Sequence, residues 1–67
     1  MTKLQMMLMD IITLDGAEWK DIVAHLRDQK IKITNWNKLR SELQGLIDLG
    51  LIYRVQEINS EIYVRAK

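Results

Sequence analysis

The apolar residues of this chain change their period at a single glycine. Upstream, Trp36, Leu39, Leu43, Leu46 and Ile47 recur at the three- and four-residue intervals of one helix face. Downstream, Leu51-Ile52-Tyr53-Arg54-Val55-Gln56 is rich in the β-branched and aromatic residues that suit strands. Gly50 lies between the two, where glycine commonly ends a helix by adopting a left-handed backbone at low cost. With only 67 residues to hold both kinds of segment, the chain is expected to be one α+β domain spanning residues 1–67.

Two more helices are expected ahead of that point. Leu4, Met7, Leu8 and Ile11 define a first one from Lys3 to about Thr13, with Thr2 as N-cap and Ile12 at the border of the apolar stripe. The Asp15-Gly16 dipeptide reads as a turn. Trp19, Ile22, Val23 and Leu26 then define a second helix from about Glu18 to Asp28. Residues 29–33 form an extended connector that buries Ile31 and Ile33 as two pegs, and Thr34 or Asn35 caps the third helix, residues 35–49.

The C-terminal segments, Leu51–Gln56 and Glu61–Arg65, pair as a hairpin. A two-residue turn at Asn59-Ser60 sets Arg54 against Arg65. A four-residue loop from Glu57 to Ser60 instead matches Val55 with Ile62 and Tyr53 with Val64, so the longer loop is expected. Because an isolated hairpin is marginal in water, its Tyr53/Val55/Ile62/Val64 face is expected to pack on the helices. Arg54, Tyr63 and Arg65 then share the outer face.

Composition removes several classes of function. One histidine, His25, is expected to be exposed, and Gly16, Gly45 and Gly50 are too scattered for a phosphate loop. No serine sits in a nucleophile elbow, so no enzyme, metal or cofactor is expected. The lack of cysteine excludes disulfides and thiolate metal sites and fits a cytoplasmic protein. No segment approaches the roughly 20 apolar residues of a membrane span, and no signal-peptide layout is present. From Met1 to Lys67 the sequence shows no linker and reads as a complete small protein.

The run Leu39-Arg40-Ser41-Glu42-Leu43-Gln44-Gly45-Leu46-Ile47-Asp48-Leu49-Gly50-Leu51-Ile52 resembles the end of the recognition helix and the first wing strand of the winged helix-turn-helix superfamily. Gly16-Ala17-Glu18-Trp19-Lys20-Asp21-Ile22 is similar to the short extended lead-in to that superfamily's second helix. The resemblance covers nearly the whole chain, although the segment between Leu26 and Leu39 is longer than in the compact form of the pattern. It implies a three-helix winged helix-turn-helix with a C-terminal β-hairpin wing. It also implies double-stranded DNA as partner, with helix three in the major groove and the wing on the backbone.

The residues that would serve such a role are present. Asn37, Lys38, Ser41, Gln44, Gly45 and Asp48 lie opposite the apolar stripe of helix three, and Asn and Gln can each make two hydrogen bonds to an adenine edge. Gly45, which costs about 1 kcal/mol of helix propensity relative to alanine, marks a place of close backbone approach. Net charge is only +1, yet Lys20 to Arg40 holds six basic residues against Asp21 and Asp28, a balance of +4. Lys30, Lys32, Lys38 and Arg40 are the expected phosphate or base contacts there, with Arg54, Tyr63 and Arg65 on the wing. The wing tip carries Glu57 and Glu61 and no base, so the strands rather than the tip are expected to meet DNA.

Trp19 and Trp36 lie on apolar stripes and are expected in the core. Met6 and Met9 fall off the stripe of helix one and Ile12 borders it, a combination that suits a homodimer paired through that helix. The sequence thus reads as a small sequence-specific DNA-binding transcriptional regulator. The alternative is a winged-helix module that binds another protein, for which a near-neutral charge is the ordinary state.

Overall fold

Two of the three helices begin where the N-cap side chain satisfies free amides of the first turn. In the computed structural model, which describes all 67 residues, α1 runs Lys3–Ile11, α2 Trp19–Asp28 and α3 Trp36–Asp48. Thr2 and Gln5 close a reciprocal capping box on α1, and Asn35 Oδ1 accepts from the amides of Asn37 and Lys38 to start α3. Three strands complete the order: β1 Ala17–Glu18, β2 Ile52–Gln56 and β3 Glu61–Arg65.

Two helices stop with the same device. At the end of α3 the amide of Leu51 donates to Leu46 O and that of Gly50 to Ile47 O, with Gly50 at φ 75°. At the end of α2 the amide of Ile31 donates to Leu26 O and that of Lys30 to Arg27 O, with Lys30 at φ 61°. Both are Schellman ends. The second places a lysine where glycine is favoured, so its stop leaves no clear mark in the sequence.

Helix α1 ends two residues earlier than its periodicity suggests. The carbonyl of Thr13 accepts the amides of Gly16 and Arg65, which turns the chain toward the sheet. Ile12 takes an extended conformation there and its side chain enters the core.

The sheet is antiparallel with strand order β1-β3-β2. The hairpin has the expected four-residue loop, pairing Val55 with Ile62, Tyr53 with Val64 and Arg54 with Tyr63. Strand β1 pairs Ala17 with Tyr63 and Glu18 with Ile62; two residues are too few to show a strand period. Gly16, at φ 91°, leads into it, and a Cβ at that position would lie 2.9 Å from Ile62 Cγ2.

Which face of the hairpin meets the helices is the reverse of the expectation. Ile52 and Tyr63 are 2 % exposed, whereas Tyr53 is 49 % and Val55 39 % exposed. Pairing with β1 makes β3 the central strand, so Tyr63 sits over the core beside Ala17. The two arginines on this face do not prevent its burial. Arg65 turns its guanidinium to the carbonyl of Met9, and Arg54 stays exposed at the edge of the sheet.

One cluster of eleven buried apolar residues holds the molecule together: Leu8, Ile11, Ile12, Ala17, Ile22, Leu26, Leu39, Leu43, Leu46, Ile52 and Tyr63. Ile31 and Ile33 pack against it from the connector, as two pegs. The buried polar side chain is Gln5. Its Oε1 accepts from Thr2 N at 2.9 Å, and its Nε2 donates to Glu42 O at 3.2 Å, joining α1 to α3.

Candidate nucleic-acid interface

Burying Leu39, Leu43 and Leu46 turns the opposite side of α3 outward. Asn37, Ser41, Gln44 and Asp48 form that ridge and are all exposed. Gln44 Nε2 donates to Asp48 Oδ1 at 3.0 Å, so the amide is held along the helix by a bond a base edge would have to replace. Lys38, also exposed, borders the ridge on the side of α1.

On its other side the ridge drops into a groove of about 340 Å³ between α3 and the hairpin. Asn37, Arg40, Ser41, Gln44 and Arg54 line it, with Tyr63 below. Arg54 is exposed and brings a positive charge from β2 to the edge of α3.

Arg40 is less free than its sequence position suggests. Its guanidinium lies 4.5 Å from the centre of the Trp19 ring and its Nη1 is 3.3 Å from Glu61 Oε2. The same carboxylate oxygen accepts the Tyr63 hydroxyl at 3.2 Å. Glu61, at the loop end of β3, is thereby paired, which leaves Glu57 as the unpaired acid near the tip of the hairpin. Burial raises the Tyr63 hydroxyl pKa above its ordinary value, and the Glu61 carboxylate adds to the rise.

Several expected contacts are placed elsewhere. Tyr63 is 2 % exposed and cannot meet a DNA backbone. Arg65 turns inward, where its Nη2 donates to the carbonyl of Met9 in the last turn of α1. That helix has no basic residue in its own last turn, so Arg65 supplies the positive charge that complements its C-terminal dipole. Lys30 and Lys32 are exposed as expected, at the end of α2 and in the connector.

The expected dimer surface on α1 is also reduced. Ile12 is completely buried and Met9 packs against the core, which leaves Met6, at 56 % exposure, as the free residue of the three. Gly45 does mark a close approach, but to another helix. A Cβ there would lie 2.7 Å from Gln5 Nε2, so the glycine admits the buried Gln5 side chain.

Sequence reasoning missed an aromatic and basic surface beside the ridge. Trp36 is 47 % exposed and meets Trp19 edge-on, with ring centres 6.2 Å apart. Lys20, Arg27 and Arg40 share a cleft of about 590 Å³ with these rings. Lys20 Nζ is 3.2 Å from Glu18 Oε2 and Arg40 is held by Glu61, so Arg27 is the cation there without an acidic partner. The usable signal was the excess of basic residues between Lys20 and Arg40. Helical periodicity placed Trp36 on the apolar stripe, but at the first position of α3 it lies beyond the reach of the core.

No group of three His, Asp or Glu side chains gathers with metal-binding geometry, and no helix is long and apolar enough to cross a membrane. Comparison of the chain with protein-family models, curated proteins and solved structures finds no match.

Proposed function

We propose that this chain is a small winged-helix DNA-binding regulator in which α3 lies in the major groove and reads bases through Asn37, Ser41 and Gln44. The observation that carries this reading is the outward ridge of α3, polar along its length and flanked by Lys38 on one side and Arg40 and Arg54 on the other. Side chains of this kind offer donors and acceptors to base edges, while the flanking cations meet phosphates. The cleft beside Trp36 adds Arg27, a cation without an acidic partner, on the side of α2. Within the wing, Arg54 is the contact residue; Tyr63 and Arg65 serve the fold.

Fluorescence anisotropy on duplexes recovered by selection from random sequence tests this function. Binding is expected to weaken with salt, and replacing Lys38 and Arg54 together with alanine is expected to reduce the log–log salt slope by about 2. Gln44→Ala is expected to relax preference at one base position, at about 1–3 kcal/mol of discrimination. Salt-insensitive binding, or none, refutes the reading.

A second reading, a winged-helix module that binds another protein, draws on the exposed apolar residues of the hairpin, Tyr53, Val55 and Ile58. It predicts no salt-sensitive retention on heparin or duplex DNA.

A further inference from the structure

Strand β2 lies at the edge of the sheet, and four of its five residues are exposed. The hydrogen bonds Glu57 N to Ser60 O and Ala66 N to Leu51 O fix which of its residues face β3. In this register the odd-numbered residues 51, 53, 55 and 57 face β3, so Ile52, Arg54 and Gln56 direct their backbone N–H and C=O groups outward. No backbone hydrogen bond reaches β2 from that side. The edge also lacks proline and lysine, two common means of blunting an open strand.

The outer face beside this edge is apolar. Tyr53 and Val55 are 49 % and 39 % exposed, and Ile62 and Val64 stand next to them on β3. An open edge with an apolar face along it is complementary to another strand with the same two properties, and β2 of a second copy has both.

We propose that two copies of this chain pair antiparallel through β2 about a two-fold axis at Tyr53, forming one continuous six-stranded sheet. The outward groups allow symmetric registers centred on residue 53, 54 or 55. Centring on Arg54 opposes two arginines, and centring on Val55 sets Tyr53 against Glu57 of the second copy. Centring on Tyr53 stacks the two tyrosines and places Val55 beside Leu51 of the second copy. It also sets Arg54 against Ile52 of the second copy, so no like charges meet. Tyr53 then forms a non-hydrogen-bonded pair, with Cα atoms about 4.5 Å apart, the closest cross-strand arrangement.

The absence of cysteine makes this register directly testable. Tyr53→Cys, Arg54→Cys and Ile58→Cys variants are oxidised at submillimolar concentration and followed by non-reducing electrophoresis, while the unaltered chain is sedimented over the same range. Ile58, 98 % exposed at the wing tip, reports random collision. The Tyr53→Cys variant is expected to cross-link on the order of tenfold or more faster than Ile58→Cys, because pairing raises the effective thiol concentration. Arg54→Cys is expected to follow the collisional control. The unaltered chain is expected to show a concentration-dependent mass that Val55→Lys returns to the monomer. A monomer at every concentration overturns the pairing. Cross-linking of Tyr53→Cys no faster than Ile58→Cys, or led by Arg54→Cys, overturns the register.

Discussion

Replacing Gly45 with alanine should do nearly nothing to the native chain and stabilise a chain that lacks Gln5. An alanine at the tenth position of the 13-residue α3, still inside its hydrogen-bonded turns, gains about 1 kcal/mol over glycine from backbone entropy alone. At this position the new methyl would stand 2.7 Å from Gln5 Nε2, well inside contact distance. The amide can move aside only by giving up its bond to Glu42 O and disturbing the one from Thr2 N. Each such bond contributes about 0.5–1.5 kcal/mol, and more is lost where a buried group is left unpaired. The propensity gain is therefore cancelled or exceeded. With Gln5→Ala already in place the obstacle is gone and the full gain of about 1 kcal/mol should appear.

The four chains of this double-mutant cycle are compared by urea denaturation followed by circular dichroism. A coupling of about 1–2 kcal/mol is expected. The Gly45→Ala step should raise the melting temperature by about 4–8 °C in the Gln5→Ala background and barely change it in the native one. Equal gains in both backgrounds, within about 0.3–0.5 kcal/mol, refute the proposed role of Gly45.

Arg65→Ala is expected to destabilise the fold by about 1–2 kcal/mol by uncapping α1, with amide exchange rising first in the last turn of that helix. Lys30→Gly should stabilise by about 0.5–1 kcal/mol, read as a higher urea midpoint, because it relieves a left-handed lysine while adding some freedom to the unfolded chain. The Tyr63 hydroxyl keeps its proton to higher pH in the folded chain than in the unfolded one. Its stabilising contribution is therefore complete below about pH 10 and is lost as pH rises through the folded pKa. Urea midpoints of the native chain should fall in that alkaline window, and Tyr63→Phe should flatten the decline.

What could be read from the sequence followed from local rules. The capping of α1 and α3, the stop at Gly50, the polar ridge of α3 and the hairpin register each depend on residues close together in the chain. The face of the hairpin that packs inward was not local. Matching polarity across two strands finds the right partners but not the right side, because the deciding contact is β3 with β1, between residues far apart in sequence. The roles of Arg65 and of the Gln5 amide were hidden for the same reason, since Met9 and Glu42 lie on other elements. Trp36 shows the opposite failure. Its spacing is that of a core residue, yet its place at the start of α3 sets it on the surface.

The arginine that caps the first helix is two residues from the end of the sequence, and its partner Met9 lies 56 residues earlier. Synthesis on a ribosome releases the N-terminal helix first, with its final carbonyls still open. The central strand β3, which carries Tyr63 into the core, emerges after all three helices. Nothing that resembles the finished core can therefore form until Tyr63 and Arg65 have both left the ribosome. Ending the chain before Arg65 would remove the central strand's last rung and the cap of the first helix in one step.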